Sequence, residues 1–566
     1  MLRQRAVRYL FVLLPSFLSP GLGAQEAQRP HGPPDLSPAE WRVDLRALAD
    51  GLIETHLNAF HSIDRAEFDA AVERLDARVP DLSTDQMVVE FARLVAMIGD
   101  GHTRLWLTPN DENGFRQVPI LLYWLEGELR VLGIDERFNE VLGGRVIGIG
   151  DRSAVEAGDL VFPLTPRDNP IGGRAIGPRY LAIPEILQAV GITESADRVT
   201  YRIETLSGET VTLTLDAVPD AAAGNLSNRP YFVPRPTDSI RIAMAHEAAG
   251  TPPLWLRDPG ARFWREYLPE SGTLYVQLNG IGDAEDETLA EFFGRVYAEA
   301  DSLRPRRFVL DLRHNGGGNN MLNMPIVQGL IRRPWLDRPE RAFVIIGRHT
   351  FSAASHLVTH LERFTNATLV GEPMSASPNH FGDNRPVRLP HSGLEARASS
   401  IYWQNSLPEP FETRDRTSPD LGAEPTLATY LENRDPALEV ILAAETFMPI
   451  DETMRVAYAE AGVDGALAAY RAYRADPRFR FQNSETAINS LGYDLLGDGD
   501  AEAAVAVFRL NAEAYPESAN SFDSLGDGLQ AVGDRDGAIA AYRRALEIDP
   551  DFDVSRRNLE ALGAAP

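Results

Sequence analysis

The sequence predicts a multidomain α/β protein with an all-helical C-terminal region. Three observations carry that prediction. Strand-like and helix-like runs alternate from about residue 230 to 435, a stretch of short β-type runs precedes them from about 117, and the C-terminal part repeats with a fixed period. A chain of 566 residues fits about three or four domains at roughly 150 residues each. A hydrophobic content of 44% is ample for packed cores.

In chain order, the first segment is 1–24. Arg3, Arg5 and Arg8 form a basic leader, residues 9–18 are mostly apolar, and small residues follow up to Ala24. This is the three-part layout of a secretory signal. Cleavage is expected near Ala24, with Leu22 an imperfect fit ahead of it. The apolar run is too short to span a bilayer as a helix; an uncleaved anchor or a plain first helix is the alternative. No other run is apolar enough to cross a membrane. The expectation is therefore an exported chain, periplasmic or secreted, with no transmembrane segment after cleavage. Residues 25–37, polar and rich in proline, read as a linker.

Residues 38–116 read as a helical segment ending in a Gly-Asp-Gly-His-Thr turn. Ser37 and Pro38 give a cap and a first-turn proline, and Ser83 opens a second start signal. Residues 117–222 carry the runs ELRVLGI, GRVIGIG, RVTYRIET and TVTLTLDA, which read as strands. Between them YLAIPEILQAVGI reads as a helix. Residues 230–435 supply the strands GTLYVQLNG, RFVLDLR, AFVIIG and ATLVGE with helices between, an α/β pattern with a largely parallel sheet. In 436–566, Leu491, Gly492, Ala504, Phe508 and Pro516 recur 34 residues later as Leu525, Gly526, Ala538, Tyr542 and Pro550. That period and those residue types are the tetratricopeptide signature, clearest over 485–552. Such repeats commonly bind a protein partner.

Composition excludes several function classes. The formal net charge is -27, and no basic cluster lies beyond the first ten residues, so no nucleic-acid partner is expected. With no cysteine there are no disulfides and no thiolate nucleophiles or metal ligands. No cluster of candidate ligands argues for a catalytic zinc. No metal or cofactor is expected.

Three short stretches could carry chemistry. In FVLDLRHNGGGNN, a strand opens into Gly316, Gly317 and Gly318, whose N–H groups can form an anion nest or an oxyanion hole. The glycines also suit a tight strand-to-helix turn, and the Lys-Ser/Thr of a phosphate loop is missing. Ser352 follows the strand AFVIIG and opens a helix, where it is either a nucleophile or a plain N-cap. His102 sits in the GDGHT turn, as a general base or as a structural histidine.

Together these stretches resemble the tail-specific, or carboxyl-terminal-processing, family of serine peptidases, in its tricorn-like and interphotoreceptor-retinoid-binding-protein-like branch. The family's Asp-x-Arg-x-Asn-x-Gly-Gly stands here as Asp311, Arg313, Asn315, Gly317 and Gly318. Its Ser-Ala stands as Ser352 and Ala353, and its Gly-Glu strand end as Gly371 and Glu372. LPHSGLEARASS is similar to the later core. The resemblance covers most of residues 38–435. It implies a crotonase-like α/β protease core, a PDZ-like β-rich module and a polypeptide substrate cleaved by Ser352. It also implies an oxyanion hole at Gly317, Gly318 and Ala353.

The family's bacterial lysine is absent. Counting 25 residues on from Ser352 gives Ser377, and no lysine follows in the core. The tricorn-like branch implies a histidine from the segment before the PDZ-like module, here His102, with His380 as the alternative base. It further implies an orienting carboxylate late in the core, Glu409 or Glu412. A helper serine would stand where the chain has Gly101. His356, one turn along the Ser352 helix, is expected to point away from the hydroxyl. The alternative to a Ser-His endopeptidase is a catalytically inactive binding protein of the same fold, holding a peptide or apolar ligand, with the repeats as a partner-binding scaffold.

Overall fold

The computed structural model describes residues 32–226, 240–407, 412–443 and 449–565, so the signal at 1–24 and most of the linker fall outside the described residues. Over the described residues the chain is a mixed α/β protein with three sheets and a helical C-terminal region.

The sheet that carries the site has six strands in the order Leu421–Gly422, Thr368–Gly371, Ala342–Ile346, Arg307–Asp311, Thr273–Leu278 and Phe263–Leu268. The first five are mutually parallel and the last is antiparallel. Every residue of Arg307–Asp311 and Ala342–Ile346 is buried, as expected of strands covered on both faces. Alternation assigns the faces. Leu274, Val276, Phe308, Leu310, Val344 and Ile346 pack under helices Leu289–Leu303, Met324–Ile331 and Ala353–Phe364. Tyr275, Val309, Phe343, Ile345 and Val370 face Leu254, Ala437 and Ile441. The four strands expected in this region all form. Their C-terminal ends place Asp311, the 347–352 turn and Glu372 along one edge, where ligands of open α/β sheets bind.

The second sheet, over 120–244, has seven strands with an antiparallel path Ile120–Leu125, Glu128–Asp135, Arg145–Ile149, Arg198–Glu204 and Thr210–Asp216. The helix expected over residues 180–192 forms as Pro184–Ala189, starting at Pro184 because proline fits the first helical position, and a helix not expected from sequence, Pro170–Tyr180, capped by the Asn169 side chain, precedes it.

A third sheet, not expected from sequence, brings the site together. The hairpin Asn379–Arg388 and Glu395–Gln404 pairs with the short strand Arg104–Leu105, with Arg104 opposite Arg397. This pairing pins the segment after His102 to the core, so the N-terminal region is not purely helical. Its first helices do start where expected, at capping boxes built by Ser37 with Glu40 and Ser83 with Gln86.

At the C-terminus, helices Glu485–Gly497, Ala501–Ala514, Ala519–Ala531 and Arg535–Ile548 form two hairpins. A Cβ added at Gly492 would lie 2.4 Å from the Phe508 ring, and one at Gly526 would lie 2.4 Å from the Tyr542 ring. The 34-residue spacing thus marks equivalent packing, an aromatic seated against a glycine.

Candidate active site

Ser352 stands between the Ala342–Ile346 strand and the Ala353–Phe364 helix with φ 53° and ψ -127°. This is a costly conformation for a residue with a side chain. The surrounding turn enforces it. Thr350 Oγ1 donates to the Leu312 carbonyl (2.9 Å) and accepts the Gly347 N–H (3.0 Å), while Phe351 N–H donates to the Asn315 carbonyl (3.0 Å). The Ser352 side chain caps no helix N–H. Its Oγ lies 2.9 Å from His102 Nε2.

His102 is held by Asp100, a residue the sequence reading passed over. Asp100 Oδ1 accepts the N–H groups of His102 (2.9 Å) and Thr103 (2.7 Å) and the Ser399 hydroxyl (2.8 Å). Its Oδ2 lies 2.9 Å from His56 Nε2. His56 Nδ1 accepts the Asn58 N–H, which puts the His56 proton on Nε2, facing Asp100. Burial alone raises the Asp100 pKa, but hydrogen bonds from His56, Thr103 and Ser399 outweigh it and hold the carboxyl at about 2. The signal was legible, since Asp-x-His-Thr is an Asx turn in which a carboxylate binds the backbone two residues on.

Burial, then the neighbouring His380 and Arg104, push the His102 pKa down to about 3, so its ring is neutral and Nε2 can accept the serine proton. Nδ1 is buried and faces the Phe381 carbonyl without reaching hydrogen-bond geometry. The Phe351 ring stacks on it at 4.6 Å.

Of the expected orienting carboxylates, Glu412 is engaged elsewhere. Both oxygens of Glu412 are engaged by Arg414, which also bridges to Glu362. Glu409 lies outside the described residues. A side chain at Gly101 would meet the Phe351 ring at 2.6 Å, so a helper serine does not fit without rearrangement. The Gly101 N–H instead donates to Asp168 Oδ1 at 2.6 Å. Burial and the Asp100 charge raise Asp168 to about 7. The alternative base, His380, touches Ser377 and His356 rather than Ser352.

The glycine loop approaches closely. A Cβ at Gly317 (φ 111°) would sit 2.6 Å from Ser352 Cβ, and one at Gly318 (φ 140°) 1.9 Å from the Ile281 carbonyl oxygen. Of the three expected oxyanion donors, Gly317 is corrected, because its N–H already donates to Asn315 Oδ1 at 3.0 Å. Among the described residues, no acceptor takes the N–H of Gly318 or Ala353. Both residues line a cavity of about 180 Å³ together with Ser352, His102, His356 and His380.

His356 therefore faces the site rather than away from it. Residues 352 and 356 are four apart, which places them on one helix face. Arg313, read from the sequence as part of a site motif, makes a buried ion network with Asp311 and Asp435. Glu372 holds Arg348 of the serine turn, and Arg348 also donates to the Trp124 carbonyl of the second sheet. The whole chain contains no lysine, which extends the exclusion of a Ser-Lys pair to every position.

Among the described residues, seven imidazoles are pushed below their ordinary pKa, in each case chiefly by burial: His102, His246, His314, His349, His356, His360 and His380. In the unfolded chain they take up protons near pH 6.5, so below that the unfolded state binds more protons and stability falls as pH falls. Asp168 and Asp420, raised to about 7 and about 6 chiefly by burial, act in the opposite sense, as do Glu185, Glu424 and Asp523. The histidines outnumber them. The thermal midpoint is expected to drop between pH 7.5 and 5.5; a midpoint that stays level or rises would contradict the neutral buried rings.

No protein-family model and no curated protein sequence matches the chain. Solved structures do. A crystal structure of a CPAF mutant matches at 11% identity over 72% of this chain and 99% of that one, with a TM-score of 0.50. Mature CPAF complexed with lactacystin matches at 11% identity over 71% and 97%, with a TM-score of 0.49. The tricorn protease matches at 15% identity over 72% of this chain and 36% of that chain, with a TM-score of 0.30. The fold is thus shared with CPAF.

Proposed function

We propose that this chain is an exported serine endopeptidase working through a Ser-His pair. The observation that carries the reading is the strained, non-capping Ser352 with its Oγ 2.9 Å from a neutral His102. Ser352 Oγ attacks the scissile carbonyl carbon as His102 Nε2 takes the hydroxyl proton. The N–H groups of Gly318 and Ala353 receive the negative oxygen of the tetrahedral intermediate. The imidazolium gives its proton to the leaving amine, and the acyl-enzyme remains. Water then repeats the sequence, with His102 as base and Ser352 as leaving group. Asp100 positions His102 through the backbone, and its charge favours the imidazolium at longer range.

Export rests on the basic, apolar and small-residue layout of residues 1–24. In this reading, residues 117–222 are a PDZ-like module that offers a strand edge to a polypeptide substrate. The C-terminal repeats are a tetratricopeptide scaffold for a protein partner.

A fluorophosphonate probe tests the catalytic claim. Intact protein is expected to gain one adduct, mapped to Ser352 by peptide mass spectrometry and absent in Ser352→Ala. If native protein takes no adduct, the inactive binding-protein reading replaces this one.

A further inference from the structure

His356 and His380 bring their Nε2 atoms within 3.1 Å of each other at the wall of the Ser352 cavity. Two imidazole nitrogens on one tetrahedral zinc ion, each about 2.0–2.1 Å from the metal, sit roughly 3.3 Å apart. The pair is already spaced as two ligands of one ion.

The outer nitrogens are arranged to match. His380 Nδ1–H donates to the Ser377 carbonyl at 2.9 Å, which leaves the Nε2 lone pair free of a proton. Metal-bound histidines typically anchor their second nitrogen in this way. His356 Nδ1 lies 2.9 Å from the Asn320 side-chain amide. Without an ion the chain of donors runs from Asn320 Nδ2 to His356 Nδ1, then from His356 Nε2 to His380 Nε2. Turning the Asn320 amide over presents Oδ1 instead. His356 then carries its proton on Nδ1, and both Nε2 lone pairs are open to an ion.

Among the described residues no group of three or more His, Asp or Glu side chains is gathered for a metal. The pair therefore supplies two ligands and water the rest. The cavity, about 180 Å³, has room for it, since a water occupies about 30 Å³. Imidazole ligands favour zinc, copper or nickel over magnesium or calcium.

We propose that His356 and His380 form a two-imidazole site for a divalent transition ion, zinc foremost, and that an ion held there reversibly blocks the Ser352 cavity. The His380 ring stacks on His102 at 5.6 Å with 3° between planes, so the ion places its charge and waters beside the base. The blocking half rests on the peptidase reading; the binding half does not.

Calorimetry with zinc chloride on the full chain carrying Ser352→Ala tests binding without activity. One zinc per chain is expected, with affinity falling by more than about tenfold in His356→Ala and in His380→Ala. It is expected unchanged in His391→Ala, which alters an exposed histidine outside the cluster. Calcium is expected to give no saturable binding. On the unsubstituted chain, zinc is expected to protect His356 and His380 selectively from diethylpyrocarbonate, which guards against misfolded variants. No saturable zinc uptake, or no selective protection of the two rings, overturns the site. In wild-type protein zinc is expected to slow probe labelling of Ser352, with a chelator restoring it. Zinc bound at the pair with labelling unchanged overturns the blocking half alone. Absence of labelling without zinc overturns the peptidase reading and leaves the calorimetry to decide the site.

Discussion

His102→Ala is expected to lower kcat for peptide hydrolysis by roughly 10⁴- to 10⁶-fold, the scale on which serine proteases lose rate when the base is removed. The argument is geometric. His102 Nε2 is the only histidine nitrogen bonded to the Ser352 hydroxyl among the described residues. Without it the hydroxyl keeps its proton at neutral pH. His380→Ala is expected to cost no more than about tenfold, because His380 makes no hydrogen bond to Ser352 and only stacks beside His102. Steady-state kinetics on a quenched fluorescent peptide separate the two. Equal losses in both variants would mean that His380 is the base or that the two rings act together. A third variant, Asp100→Asn, probes how the base is held. It keeps an acceptor for the backbone N–H groups but turns a donor amide toward His56 Nε2–H, whose other nitrogen is fixed by Asn58. A loss in kcat with KM retained is expected, since substrate contacts remain while the His102 turn shifts.

What was legible in the sequence was local. Four of the six strands of the central sheet announced themselves as buried apolar runs, and Ser37 and Ser83 as caps. Ser352 and the glycine loop were visible because a strand-to-helix turn and three consecutive glycines are each short-range signals. His102 was legible once these were placed beside one another. What was hidden depends on distant residues meeting. Asp168 reaches Gly101 from 67 residues away, and the hairpin that pins Arg104 comes almost 300 residues after it. No periodicity carries such information. His356 was a different failure, because its four-residue spacing from Ser352 already placed it on the same face. The orienting carboxylate expected from the resemblance is not supplied by Glu412, whose charge is spent on Arg414. The turn that carries His102 is instead steadied from its backbone side by Asp100.

Arg313→Met is expected to destabilise the α/β core by about 3–5 kcal/mol, the usual penalty for leaving buried charges without their partner. Arg313 Nε donates to Asp311 Oδ1 at 3.1 Å, while Nη1 and Nη2 grip Asp435 at 3.0 and 2.8 Å. Asp311 is fully buried and Asp435 nearly so, and Tyr275 adds a hydroxyl donor to Asp311 at 2.7 Å. Asp435 also accepts the first N–H groups of the Pro436–Ala443 helix. Losing Arg313 therefore strands two carboxylates and loosens that helix. The cost concerns the broken network rather than the worth of the ion pair, which its own desolvation largely offsets. Arg313→Met combined with Asp435→Asn is accordingly expected to recover part of the loss. Urea unfolding followed by the fluorescence of Trp255, whose ring lies 5.2 Å from the Arg313 guanidinium carbon, in a background where the other six tryptophans are replaced by phenylalanine, reports on this region even if other domains unfold separately. A loss below about 1 kcal/mol, the range of exposed pairs, would show that the site edge relaxes to admit water. Because Arg313 begins the turn that leads into Asn315 and Gly318, the same variant separates two roles for the Asp-x-Arg motif. Retained activity at low temperature with lowered stability marks it as the brace of the glycine loop and not as part of the chemistry.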